Sequence, residues 1–264
     1  MSPTQRLGMV DRLELPSSGP TAAEIEFVTA YLQEGPMDPA LLARAFDPAR
    51  QAERETRVAE LRQRDWPNLG QYRQANADLA APPRCVFLGD SLTEAWPAAD
   101  PELFSNGVVG RGISGQTSPQ ILLRFMADVV ALKPMAVHIL CGGNDIAGNT
   151  GPITFADYQN NITAMVLLAE ANGLKVVIGG HPPYSQISWA PEIDPRPWVR
   201  PMNAWLQDLA RSRGHAFADY YAALDQGDGS MAADQARDGV HPTCAGYARM
   251  RPVAEAALRS ALET

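Results

Sequence analysis

Arg84-Cys-Val-Phe-Leu88-Gly89-Asp90-Ser91-Leu92 is the stretch on which the reading of the fold turns. Cys85 to Leu88 is a short continuous apolar run that stops at a glycine, the form of a strand buried on both faces of a parallel sheet. Gly89-Asp90-Ser91 then makes a tight strand-to-helix turn. It sets a serine hydroxyl beside a helix N-terminus, where backbone N–H groups can receive negative charge. A serine in this place also reads as an ordinary helix cap, so the turn alone does not decide the chemistry.

Downstream, the same alternation repeats. Gly107-Val-Val109, Ala136 to Cys141, Lys175 to Ile178 and Ala216 to Tyr220 read as further strands. Helical patterns lie between and after them at about 118–132, 154–172, 198–213 and 244–262. Strands separated by helices of this length imply βαβ units with right-handed crossovers and a three-layer α/β/α sandwich. Ligands in such sheets bind at the carboxyl ends of the strands, so the residues just after each strand come into view.

Upstream, residues 1–83 carry no strand signal. Thr21-Ala-Ala-Glu24 has capping-box spacing, and Ile25, Val28, Tyr31 and Leu32 recur at helical intervals. Short helices are expected over Pro39 to Phe46 and over 48–64. An apolar stripe of Trp66, Leu69, Tyr72 and Ala75 runs on to the Ala81-Pro-Pro83 break. The expected organisation is a helical N-terminal extension over 1–83, with a turn-rich, disorder-like lead of about 20 residues, and a sheet domain over 84–264.

A net charge of −8 argues against a nucleic-acid partner, which needs a basic face. Three cysteines, Cys85, Cys141 and Cys244, are too scattered for a disulfide framework, and none forms a C-x-x-C metal pair. No segment approaches the roughly 18 apolar residues of a membrane span, and Met1 to Pro20 has no apolar core of a signal peptide. The expectation is a cytoplasmic protein with a small-molecule substrate. The extension offers a surface for a homo-oligomer.

Four post-strand segments are unusual together: Gly89-Asp-Ser91-Leu92, Gly110-Arg-Gly-Ile-Ser-Gly115-Gln-Thr117, Gly142-Gly-Asn144-Asp145 and Asp238-Gly-Val-His241-Pro242. A neutral hydroxyl is a poor nucleophile and needs an adjacent base. Histidine suits that task near neutral pH, and a carboxylate must fix its tautomer. Asp238 and His241, three residues apart, can supply both. Glycines permit close backbone approach and asparagine offers an N–H donor, the ingredients of an oxyanion hole.

In order and in kind, these blocks resemble the SGNH hydrolases, also called GDSL esterases, over about residues 84–262. The phrasing at Gly110 to Thr117 and at Asn144-Asp-Ile-Ala147 is most similar to bacterial lysophospholipase-like and carbohydrate acetylesterase-like members. The resemblance implies a flavodoxin-like sheet of five parallel strands with helices on both faces, and chemistry without a metal or organic cofactor. It makes Ser91 the nucleophile, His241 the base and Asp238 the triad acid. The oxyanion donors become the N–H groups of Ser91 and Gly115 and the side-chain amide of Asn144. The substrate class it implies is a short-chain O-acyl ester, first of all an acetylated sugar or similar small molecule. A lysophospholipase or thioesterase acting on longer chains is the alternative.

Gly110-x-Gly112-x-x-Gly115 is also a literal dinucleotide fingerprint, but the acid it wants at the end of the next strand is missing. A binding domain that has lost catalysis would lack Ser, His or Asp, and all three are present. Asp90 and Asp145 read as loop braces, His138 as a hydrogen-bonded core residue, His215 as a surface turn and Cys244 as packing at a helix start. His181, ending the fourth strand, is a candidate alternative base but has no acid nearby. Arg111 is a candidate substrate contact or a structural ion-pair partner. The proline-rich stretch from His181 to Pro201 should overhang the site, with Tyr184, Trp189 and Trp198 as candidate pocket walls.

Overall fold

In the computed structural model, which describes residues 19–33 and 35–263, the apolar runs become strands of one parallel sheet. Among the described residues these are β1 (Cys85–Gly89), β2 (Val108–Gly112), β3 (Ala136–Leu140), β4 (Lys175–Gly179) and β5 (Ala216–Ala218), in the spatial order β2-β1-β3-β4-β5. Ahead of the sheet come α1 (Ala22–Leu32), α2 (Pro39–Ala45), α3 (Pro48–Arg64) and α4 (Arg73–Ala77). Threaded through it are α5 (Ser91–Ala99), α6 (Ser118–Asp128), α7 (Gly143–Ile146), α8 (Phe155–Ala171), α9 (Arg196–Arg213), α10 (Tyr220–Leu224) and α11 (Cys244–Glu263).

Strand period two divides the core into two layers. Cys85 and Phe87 of β1 face Trp96, Tyr220, Tyr247 and Met250, beneath α5, α10 and α11. Val86 and Leu88 face the other way, with Ile121, Phe125, Ile162, Met165 and Leu206 of α6, α8 and α9. The strand order reverses at β1, so the crevice of the sheet opens beyond the carboxyl ends of β1 and β3. That crevice lies between the Ser91 turn and the Asn144 turn.

The three-layer, five-stranded expectation holds, and several boundaries move for physical reasons. β2 runs on to Gly112 in register with Gly89, although its two glycines weaken any strand signal. β5 stops at Ala218 because the Asp219 side chain accepts from Ala222 N–H and caps α10. The helix expected to reach 132 ends at Asp128, followed by a single 3₁₀ turn. α9 starts at Arg196, since prolines in a first turn favour helix starts. The disorder-like lead lies, for residues 1–18, outside the described residues.

In the extension, the capping box forms as its spacing predicts: Glu24 N–H donates to Thr21 Oγ1, and Thr21 N–H to Glu24 Oε2 at 2.7 Å. α1 packs against α5 and α4 against α6. Leu32 joins the core layer beneath α5 and α11. No described helix is long and apolar enough to cross a membrane.

Candidate active site

The serine turn is built so that Ser91 is spared capping duty. Asp90 occupies the cap position and its Oδ1 accepts from Leu92 N–H at 3.1 Å, leaving Ser91 as the first helical residue. The turn is tight: a Cβ on Gly89 would lie 2.2 Å from Thr93 Oγ1 and 2.3 Å from the Leu140 carbonyl oxygen. Freed from the backbone, Ser91 Oγ stands 2.9 Å from His241 Nε2. His241 Nδ1 is 2.7 Å from Asp238 Oδ2. Asp238 Oδ1 accepts from the N–H groups of Val240 and His241 at 3.0 and 2.8 Å. Burial works against the Asp238 charge, but the His241 contact and these two amides hold its carboxyl well below the usual range. Gly239 between them adopts φ +78°, and a Cβ there would meet Ser185 Oγ at 3.0 Å.

The asparagine block reaches the same crevice. Asn144 Nδ2 donates to the Gln116 carbonyl at 2.9 Å, and Asn144 Oδ1 accepts from Asn149 Nδ2 at 2.8 Å. Asn149 Nδ2 also reaches the Gly115 carbonyl at 3.2 Å, and Asn149 Oδ1 accepts from Trp189 Nε1 at 3.0 Å. Asn149, which the sequence reading passed over, is therefore the hub joining Gly115, Asn144 and Trp189. Asp145 braces the same loop, as expected, by accepting from Ser118 N–H and Oγ. Burial pushes its pKa up to about 6.

The cleft beside Ser91 encloses about 290 Å³ including its open mouth. Asp90, Ser91, Leu92, Gly143, Asn144, Tyr184, Ile187, Trp189 and Val240 line it. Tyr184 and Trp189 are thus pocket walls, with the Trp189 ring 5.6 Å from the His241 ring. Gly115 is not among the nine; its carbonyl accepts from Asn149 Nδ2, which ties its loop to Asn144.

Trp198 is a correction. It sits in the first turn of α9, is 51% exposed and does not line the cleft. Arg111 is another. It points away into the extension, where Nε donates to Asn76 Oδ1 at 2.7 Å and the guanidinium lies 4.9 Å from the Tyr72 ring centre. His181 is buried between Tyr158 and Tyr184 hydroxyls, and burial pushes its pKa down to about 4, so it serves the loop. His138 stacks on Phe87 and bonds the Tyr220 hydroxyl at 2.8 Å, a core residue as read. His215 is largely enclosed and pairs with Glu170.

The dinucleotide reading fails on packing. A Cβ on Gly110 would strike Pro97 at 2.7 Å, and one on Gly112 the backbone of α5 at 2.1 Å. Protein already occupies the space these glycines leave, so it is not open to a pyrophosphate. Among the described residues, no three His, Cys, Asp or Glu side chains cluster as metal ligands.

Residues outside the four motif blocks hold the crevice in shape, and the sequence reading did not find them. Arg124 is fully buried and donates to the carbonyls of Gly89 and Arg111, to Gln116 Oε1 and to Asp128. It thereby stitches the ends of β1 and β2 to the glycine loop. Glu94 accepts from Ser114 N–H at 2.8 Å and from Gln71 Nε2 at 2.9 Å. From the extension, the Tyr72 hydroxyl donates to the Gly112 carbonyl and that of Tyr31 reaches Asp238.

A hydroxyl, an imidazole and a carboxylate in series at the crevice of a doubly wound sheet fit the class of carboxylic ester hydrolases. Residues 87–249 match the GDSL-like lipase/acylhydrolase family, and the chain belongs to that family. A Bacteroides fragilis protein described as an acylhydrolase is 40% identical, with a TM-score of 0.73, covering 75% of this chain and 99% of that one. A GDSL-like lipase of Bacteroides thetaiotaomicron is 36% identical, with a TM-score of 0.69, covering 75% of this chain and 98% of that one. Esterase TesA of Pseudomonas aeruginosa is 30% identical over 189 residues, 65% of this chain and 85% of that one.

Proposed function

We propose that this esterase cleaves short-chain O-acyl esters, acetyl esters of a sugar or another small alcohol foremost, through an acyl-enzyme on Ser91. The observation that carries the reading is the 2.9 Å contact of Ser91 Oγ with His241 Nε2, backed by the 2.7 Å contact of His241 Nδ1 with Asp238. Ser91 Oγ attacks the ester carbonyl as His241 Nε2 takes its proton, and Asp238 holds the ring and stabilises the imidazolium. The tetrahedral oxyanion rests on the Ser91 and Gly115 N–H groups and the Asn144 amide. Collapse expels the alcohol, protonated by His241, and water activated by the same imidazole releases the acid.

The small acyl group is supported by the cleft. Among the described residues, Tyr184, Ile187 and Val240 wall it in close to Ser91, which leaves a long acyl chain no enclosed apolar channel there. Trp189, 43% exposed beside His241, offers a flat apolar face on which a sugar-ring leaving group can stack. The proposed setting is the cytoplasm. Exposed Ile25, Val28 and Phe46 support self-association through the extension.

Hydrolysis of p-nitrophenyl esters from two to eight acyl carbons, with Ser91→Ala as the blank, tests the reading. A kcat/KM that falls steeply with chain length supports it. A value that rises toward eight carbons replaces it with the lysophospholipase or thioesterase reading.

A further inference from the structure

Tyr31 stands one residue before the end of α1, 207 positions from the carboxylate it meets. Its hydroxyl lies 2.9 Å from Asp238 Oδ1 and 2.9 Å from the His241 carbonyl oxygen. The same oxygen accepts from the N–H groups of Arg237 and Asp238 at 3.2 and 3.3 Å. A phenol has one proton to give, and the ionised carboxylate is the stronger acceptor. Oδ1 thus collects the Tyr31 hydroxyl and two backbone amides, and Oδ2 is left to the imidazole.

The loop returns the grip. Arg237 Nε donates to the Tyr31 carbonyl at 2.9 Å, and its guanidinium also reaches the Gln33 carbonyl. These are acceptors that a helix end leaves without an internal partner. The Tyr31 ring meets His241 edge-on, with centroids 6.4 Å apart at 89°. One side chain therefore touches the acid, the ring of the base and the backbone at both ends of their turn. It belongs to a helix outside the residues that match the family.

We propose that Tyr31 is a positioning residue for ester hydrolysis. Its hydroxyl, donated to Asp238 Oδ1, fixes the carboxylate plane that orients the His241 imidazole, so the N-terminal extension supplies part of the working site. The proposal rests on the Ser91–His241–Asp238 reading above.

The test is a double-mutant cycle in the full chain, with p-nitrophenyl acetate as substrate: wild type, Tyr31→Phe, Asp238→Asn and the double variant. Phenylalanine keeps the ring against Phe27 and His241 and removes only the oxygen. Tyr31→Phe is expected to lower kcat about tenfold with KM within about twofold, the scale of one hydrogen bond to a charged group. In the Asp238→Asn background the same change is expected to cost less than about twofold, because the two act as one unit. An equal loss in both backgrounds, or a wild-type kcat for Tyr31→Phe, overturns the proposal. If Asp238→Asn itself keeps full kcat, the underlying catalytic reading fails, and the proposal with it. Should Tyr31→Phe not fold, Arg237→Gln releases the helix end while leaving every group that meets Asp238. A several-fold loss of kcat confined to the Asp238 background supports the proposal, and an equal loss in both overturns it.

Discussion

Asp90 makes the stability of this protein depend on pH in a direction opposite to that of a paired surface carboxylate. It is 3% exposed at the serine turn, and burial pushes its pKa up to about 7, against the lowering effect of Leu92 N–H and of His241. In the unfolded chain an aspartate releases its proton near pH 4. From there to about pH 7 the folded state holds a proton that the unfolded state has lost, so stability falls as pH rises through that window. A shift of three units corresponds to roughly 4 kcal/mol at pH 8, and to about half that or less at pH 5. Asparagine keeps the oxygen that caps Leu92 N–H and removes the ionisation. Asp90→Asn should therefore gain about 2 kcal/mol more over wild type at pH 8 than at pH 5, read from urea unfolding curves. The same difference at both pH values, or a variant less stable than wild type at pH 8, would refute a buried, protonated Asp90.

Gly112→Ala should cost about 3 kcal/mol or more. Its Cβ would stand 2.1 Å from Glu94 N, 2.5 Å from Thr93 C and 2.6 Å from Asp90 O, all backbone of the serine turn. Gly19→Ala, with open space around it, should melt with wild type, and matched melting points for the two variants would contradict the packing account. Trp189→Ala should lower kcat/KM on p-nitrophenyl acetate about tenfold, whereas Trp198→Ala should leave it within about twofold. Equal effects would place the pocket wall wrongly.

Strands β1, β3 and β4 were legible because a strand covered on both faces must be continuously apolar, and helices of crossover length separate them. The candidate-site blocks were legible because a parallel sheet delivers chemistry at strand ends, so Ser91 and Asn144 stood out by position as well as type, whereas Asp238 and His241, beyond α10 and just before α11, stood out by type and spacing. Arg111 misled for a definite reason. Flanked by glycines it read as a post-strand loop residue, but those glycines exist to let Pro97 and the α5 backbone approach, and β2 continues through them. Trp198 misled because Pro195, Pro197 and Pro201 read as loop. Pro197 lies in the first turn of α9, where a missing N–H costs nothing. Tyr31 and Arg124 were invisible as site residues. A tyrosine on an amphipathic stripe and an arginine in a helix carry no local mark of partners dozens or hundreds of residues away.

The central claim is that Ser91 Oγ is the atom that attacks the ester, and covalent capture tests it most directly. Stoichiometric treatment with a fluorophosphonate, followed by peptide mass mapping, should place a single adduct on Ser91. Ser91→Ala should take up none, and His241→Ala should label more slowly by about a thousandfold, the scale of triad removal. An adduct on any other residue, or undiminished labelling of Ser91→Ala, would contradict the account.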